Sequence, residues 1–160
     1  MVSRSYIKNS GGADDVYTLI TIGTPHHGVD GKESAYVVGV GGLLSTLCQT
    51  GIPLFKEGHS GEECGEMWHE SDFVINLNSN DETYGNVEYY SIIGNCCEGT
   101  DGTSDDEVVS VDSATLDGAE NIILTGNKVD WIDTFHQNLI HPSKVPKVYS
   151  KVKEILESFP

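Results

Sequence analysis

Two loops of this chain carry residue types suited to moving a proton during acyl transfer. The first holds Asp101, Asp105, Asp106 and Asp112 and follows an apolar run, Val87 to Ile93. The second leads to Phe135-His136-Gln137-Asn138-Leu139 and follows another apolar run, Ile122 to Thr125. If both runs are parallel strands of one sheet, both loops leave the same carboxyl edge, where open α/β sheets place their ligands. A carboxylate on one loop can then orient and polarise an imidazole on the next, the arrangement that lets histidine take a proton from a hydroxyl. Asp105 and Asp106 are adjacent candidates for the acid, and His136 is a candidate for the base. His141 also bears an imidazole but abuts Pro142 at the entry to the last helix, a structural position. Asp101 and Asp112 read as solvated loop charges.

The elements that must position these residues follow from spacing. Val2 to Asn9 predicts a helix that stops at Gly11-Gly12. Val16 to Ile22 is rich in β-branched residues and reads as a buried strand ending at Gly23. A tight turn, Gly23 to Gly28, carries the adjacent His26 and His27. Neighbouring side chains diverge and no further ligand cluster accompanies them, so a structural turn is expected and a metal is not. Signals weaken over 29–65, where Ala35 to Cys48 is apolar but broken by Gly39, Gly41 and Gly42, each of which weakens a helix by about 1 kcal/mol; a covering lid fits better. Ser71 can cap a helix through Leu77, with Phe73 and Leu77 facing the core, and Asn78 to Gly85 is turn chemistry. Glu98 to Asp105 reads as a Gly/Asp loop, with no calcium-loop register. Val108 to Leu116 should begin extended and end as a short helix at Ser113 to Leu116. Asn121 to Thr125 is a third strand. The last helix is the clearest, with Ser143 as cap, Pro146 in its first turn, and Val145, Val148, Val152, Ile155, Leu156 and Phe159 on one face. The class is α/β, with a mostly parallel sheet and flanking helices.

At 160 residues the chain has the length of one domain. Nine basic against 25 acidic residues leave a net charge of −16, which argues against nucleic acid and anionic membrane surfaces as partners. No run approaches the roughly 20 apolar residues of a membrane-spanning helix. Cys48, Cys64, Cys96 and Cys97 fit no zinc spacing. Cys48 and Cys64 either bridge, closing a Gly-rich loop and pointing to an exported protein, or remain free thiols. The adjacent Cys96 and Cys97 are expected not to bridge, because a disulfide between neighbours is geometrically strained.

Several stretches in order resemble bacterial and archaeal lipases and esterases of the α/β-hydrolase fold. They are Leu19-Ile-Thr-Ile-Gly-Thr-Pro-His-His-Gly28, Cys64-Gly-Glu-Met67, Ser71-Asp-Phe-Val-Ile-Asn-Leu-Asn78 and Asp81-Glu-Thr83. Tyr90-Ser-Ile-Ile-Gly94, Asp106-Glu-Val-Val109, Ser113-Ala-Thr-Leu-Asp-Gly-Ala-Glu-Asn121 and His136-Gln-Asn-Leu139 continue the series, so the resemblance spans nearly the whole chain. It implies that residues 1–160 form the carboxyl-terminal part of one α/β-hydrolase domain, with 29–65 as lid or acyl-pocket wall. It implies hydrolysis of an acyl ester or lipid by a serine, His136 and Asp106, without a cofactor. The turn residues Thr24, Pro25, His26 and His27 would border the acyl pocket. In that family Gly-x-Ser-x-Gly precedes a helix continuing much like Met1-Val-Ser-Arg-Ser-Tyr-Ile-Lys-Asn9, so the serine and the oxyanion donors are expected upstream of Met1. The missing amino-terminal half would then be the chain's partner. Neither Ser3 nor Ser5 has the flanking glycines of a strained elbow. A non-catalytic, partner-binding remnant and a thioesterase or acyltransferase on the same scaffold are the alternatives.

Overall fold

The computed structural model describes residues 1–29, 65–98, 104–126 and 136–159. Their elements run α1 (Val2–Asn9), a 3-10 turn (Gly12–Asp14), β1 (Thr18–Ile22), α2 (Asp72–Asn78) and β2 (Glu88–Asn95). The short strands β3 (Cys97–Glu98) and β4 (Ser104–Asp105) follow, then α3 (Val111–Ala114), β5 (Glu120–Thr125), a 3-10 turn (His136–Asn138) and α4 (Pro146–Glu157). The lid expected over 29–65 lies, beyond Val29 and Gly65, outside the described residues, as do Cys48 and Cys64.

β1, β2 and β5 form a three-stranded parallel sheet in the order β1-β2-β5. Ile22 pairs with Ile92, and Ile92 with Ile122, so the three carboxyl ends reach one edge together. Two backbone bonds fix those ends: Gly23 N–H donates to the Ile92 carbonyl and Gly126 N–H to the Asn95 carbonyl, both at 2.9 Å. β2 is central, and its alternating side chains supply both layers. Ile92 packs with Leu139, Val145 and Val148 on the α4 face, joined by Ile20, Ile22, Ile122 and Leu124. Tyr89 packs on the other face with Ile7 of α1 and Leu116, joined by Leu19. A strand buried on both sides must be nearly continuously apolar. The polar exception, Ser91, is satisfied by donating to the Ala114 carbonyl at 2.8 Å.

The helix starts differ from expectation where another group meets the same need. In α2 the Ser71 hydroxyl does accept the Val74 N–H at 3.1 Å. Val74 and Leu77 form its buried stripe, however, while Phe73 is only half-buried. α3 begins at Val111, ahead of the expected Ser113, because the Ser110 hydroxyl caps the Ser113 N–H at 3.1 Å. Leu116 is thereby left beyond the helix, fully buried against α1. Ser143 caps nothing: it is exposed, and α4 starts at Pro146, whose missing N–H needs no cap. Leu156 is also outside the apolar stripe, at 57% exposure, whereas Phe159 stacks edge-on against Tyr17.

The segment expected as a plain loop after β2 contains a small antiparallel ladder, Cys97 opposite Asp105 and Glu98 opposite Ser104. Cys96 and Cys97 are joined by a disulfide, contrary to the expectation of no bridge. Strain disfavours such a bridge without forbidding it. Here the backbone around it is held by Asp105, whose carbonyl accepts the Cys96 N–H at 3.0 Å.

Candidate active site

At the carboxyl edge of the sheet, Asp106 and His136 meet. The Asp106 loop is built by its own side chain: Oδ1 accepts the Val109 N–H at 2.8 Å and the Val108 N–H at 3.1 Å. The Asp106 N–H in turn donates to the Val109 carbonyl at 3.2 Å. With Oδ1 committed, Oδ2 faces His136 Nδ1 at 2.9 Å. The backbone repeats the contact, since His136 N–H donates to the Asp106 carbonyl at 2.9 Å. Two bonds between the same two residues fix the ring's place and its rotation.

The Asp106 side chain is 1% exposed and that of His136 is 32% exposed. The buried carboxylate is thus covered by an imidazole that itself reaches solvent. A carboxylate acceptor requires the proton on Nδ1, which leaves Nε2 as the basic nitrogen of the neutral ring. Nε2 has no hydrogen-bond partner among the described residues. The hydrogen bond that His136 donates to Asp106 raises the His136 pKa above its ordinary value; burial opposes this and the charge of Asp106 reinforces it. The rival acid is placed elsewhere. Asp105 is also buried, and its Oδ1 accepts the Glu107 N–H at 3.0 Å, shaping the turn rather than touching the ring. His141 lies exposed in the turn ahead of α4.

Gly23 lies against the pair and was not singled out as a site residue. Its φ is +56°, and a Cβ there would stand 2.8 Å from Leu139 Cδ1, 3.2 Å from His136 Nδ1 and 3.3 Å from Asp106 Oδ2. Only glycine accepts both the left-handed backbone and the close approach. The signal available in the sequence was its place at the end of a β-branched run.

The turn after Gly23 is braced from below. His26 is fully buried, with Nδ1 3.4 Å from Arg4 Nη1 and Nε2 3.0 Å from Thr21 Oγ1. Arginine can only donate, so Nδ1 accepts and Nε2–H donates to Thr21 Oγ1; that hydroxyl donates onward to the Tyr90 carbonyl at 3.2 Å. Burial, then the charges of Arg4, the amino terminus and His27, push the His26 pKa down to about 3. It is a neutral strut. Arg4, 2% exposed, also donates to the Glu82 carbonyl at 3.0 Å and to Asn78 Oδ1 at 3.0 Å. Asn78 Nδ2 donates to the His26 carbonyl at 2.9 Å, closing the network. Arg4 sits three residues before Ile7 on the buried stripe of α1, the one hint the sequence held of its burial.

His27 faces the other way. It is partly exposed, with Nε2 2.8 Å from Glu82 Oε1, and Glu82 Oε2 accepts the Asp117 N–H at 2.9 Å. Thr24 and Pro25 line a cavity of ≈ 510 Å³, with Met1, Ser5, Met67 and Phe73 among its other walls. Of the four turn residues, then, two border a cavity, one is half-open and His26 supports from behind. No group of three or more potential metal ligands occurs among the described residues. Nor is any described helix long and apolar enough to cross a membrane.

Compared with known proteins, the chain matches no family model and none of the curated proteins.

Proposed function

We propose that the chain is part of a carboxylic ester hydrolase of the α/β-hydrolase type, acting on an acyl ester or lipid through a serine, His136 and Asp106. The observation that carries this reading is the paired contact between Asp106 and His136, with Nε2 left basic at the carboxyl edge of a parallel sheet. The sequence resemblance and the order of acid, strand, histidine and final helix support the same fold assignment. His136 Nε2 takes the proton of a serine hydroxyl as that oxygen attacks the ester carbonyl, then returns it to the leaving alcohol. Asp106 keeps the ring in the tautomer that can accept, and holds the imidazolium once formed. The cavity beside Thr24 and Pro25 is suited to the acyl chain, being walled mainly by apolar surface.

The resemblance places the serine upstream of Met1, and no described serine hydrogen-bonds His136. Hydrolysis of a chromogenic acyl ester by the 160-residue chain tests this, beside the same chain extended upstream along its coding sequence. The extended chain should turn over ester and lose about 10³–10⁴-fold or more on His136→Ala, a general-base loss compounded with tautomer control. The 160-residue chain alone should stay at background, because removal of nucleophile and oxyanion donors costs on the order of 10⁶-fold. Activity of the short chain that His136→Ala abolishes would place the nucleophile within it. An inactive extended chain would favour a non-catalytic, partner-binding role.

A further inference from the structure

The Cys96–Cys97 disulfide stands between the central strand and the loop that carries Asp106. On its upstream side the backbone is pinned to β5, Asn95 pairing with Thr125 and accepting the Gly126 N–H at 2.9 Å. On its downstream side both cysteines grip one residue. Cys96 N–H donates to the Asp105 carbonyl at 3.0 Å, and Cys97 pairs with Asp105 across β3 and β4. Asp106 is next in the chain, bonded to His136 through both its carbonyl and its carboxylate. Both cysteines are only partly buried.

We propose that Cys96–Cys97 is a thiol–disulfide exchange site, and that its reaction with a dithiol reductant moves Asp106 relative to His136. A thiolate of the reductant attacks one sulfur, breaking the protein S–S bond and forming a mixed disulfide. The reductant's second thiol displaces the protein sulfur and closes its own disulfide. Two electrons pass to the protein, and its two sulfurs end as thiols bearing the two protons that the reductant gives up. The structural consequence follows from adjacency. Successive side chains of an extended strand point to opposite faces, whereas bonded neighbours must keep both sulfurs on one side. Reduction frees the backbone at 96–97 to continue the alternation of β2. With Asn95 held by β5, the adjustment falls on the Cys97 side, where Asp105 is gripped. The consequence for activity rests on Asp106 and His136 being the acid–base pair; the exchange and the movement do not.

The Cys48→Ser/Cys64→Ser variant leaves this pair as its cysteines, and peptide mapping of the unsubstituted chain provides the same count should that variant not fold. Iodoacetamide followed by mass spectrometry should find no alkylation at either position before dithiothreitol and both positions alkylated after it. Phenylarsine oxide, which captures two thiols held together, should then add once per chain at this pair. The ring proton resonance of His136, followed against pH, should titrate above 6.5 in the oxidised chain and move down toward that ordinary value on reduction. Cys96→Ser/Cys97→Ser should titrate like the reduced chain. Alkylation of both cysteines without reductant overturns the exchange site. Superimposable His136 titrations before and after reduction overturn the coupling and leave the Asp106–His136 pair standing. An ordinary titration in both states overturns the coupling and the pair together, and the alkylation result then decides the exchange by itself.

Discussion

At the scale of single residues, one carboxylate is committed at both oxygens and one imidazole has one nitrogen without a hydrogen-bond partner among the described residues. Because the folded state raises the His136 pKa, protonated His136 contributes stability that is full below its unfolded-state pKa, near 6.5, and is lost as pH rises through the higher folded value. Asp106→Asn keeps the two backbone amides through its Oδ1 but loses the ion pair. Its melting temperature should therefore fall furthest below that of the unsubstituted chain at pH 6, and the gap should narrow by pH 9. The ring is about one-third exposed, so the difference at pH 6 should be about 1 kcal/mol, discounted for screening. An equal gap at both pH values would mean that the pair carries no charge. Gly23→Ala tests the same spot sterically. A left-handed φ costs a non-glycine residue about 1–2 kcal/mol, and the new methyl presses on Leu139 and the dyad. Denaturant unfolding should show a loss of about 2–3 kcal/mol, and a loss under 0.5 kcal/mol would contradict the packing described. Asp106 and His136 were legible from sequence as types on successive loops. The choice of Asp106 over Asp105 rested on the lipase pattern alone, since nothing in the residues distinguishes two adjacent aspartates until the loop's hydrogen bonds are known.

At the scale of elements, the three parallel strands were legible from their apolar, β-branched runs, and α1 from its stop at Gly11-Gly12. The misplacements have a common cause: hydroxyl caps and proline compete for the same helix starts. Ser71 and Ser110 both cap, Ser143 does not, and spacing alone does not separate them. Ser71→Ala should cost about 1 kcal/mol in chemical denaturation, whereas Ser143→Ala should cost nothing measurable. Equal losses would contradict the assignment of α4's start to Pro146. The Arg4 network was not legible, because a basic residue on a short helix normally reads as its wet face. Arg4→Met leaves the Glu82 carbonyl, Asn78 Oδ1 and His26 Nδ1 without their donor. The expected loss is about 3 kcal/mol or more, because each buried acceptor left without its donor costs about 1–3 kcal/mol. A near-neutral result in thermal unfolding would show that Arg4 does not brace the turn beneath Gly23. The Cys96–Cys97 bridge was expected not to form for a related reason. Adjacency made it improbable locally, and the ladder with Asp105 that holds it arises only from tertiary pairing.

At the scale of the molecule, the sheet brings three carboxyl ends to one edge, and each supplies a part. β1 supplies Gly23 and the braced turn, Asp106 comes after β2 and the cysteines in the chain, and His136 comes after β5. What the arrangement claims chemically is that His136 presents a basic Nε2 because Asp106 holds the proton on Nδ1. Nitrogen-15 spectra of the histidine-labelled chain read that proton directly. The account predicts that neutral His136 is protonated on Nδ1, that it titrates above 6.5, and that Asp106→Asn abolishes both properties. A neutral ring protonated on Nε2, or a titration midpoint at or below 6.5 in the unsubstituted chain, would contradict it.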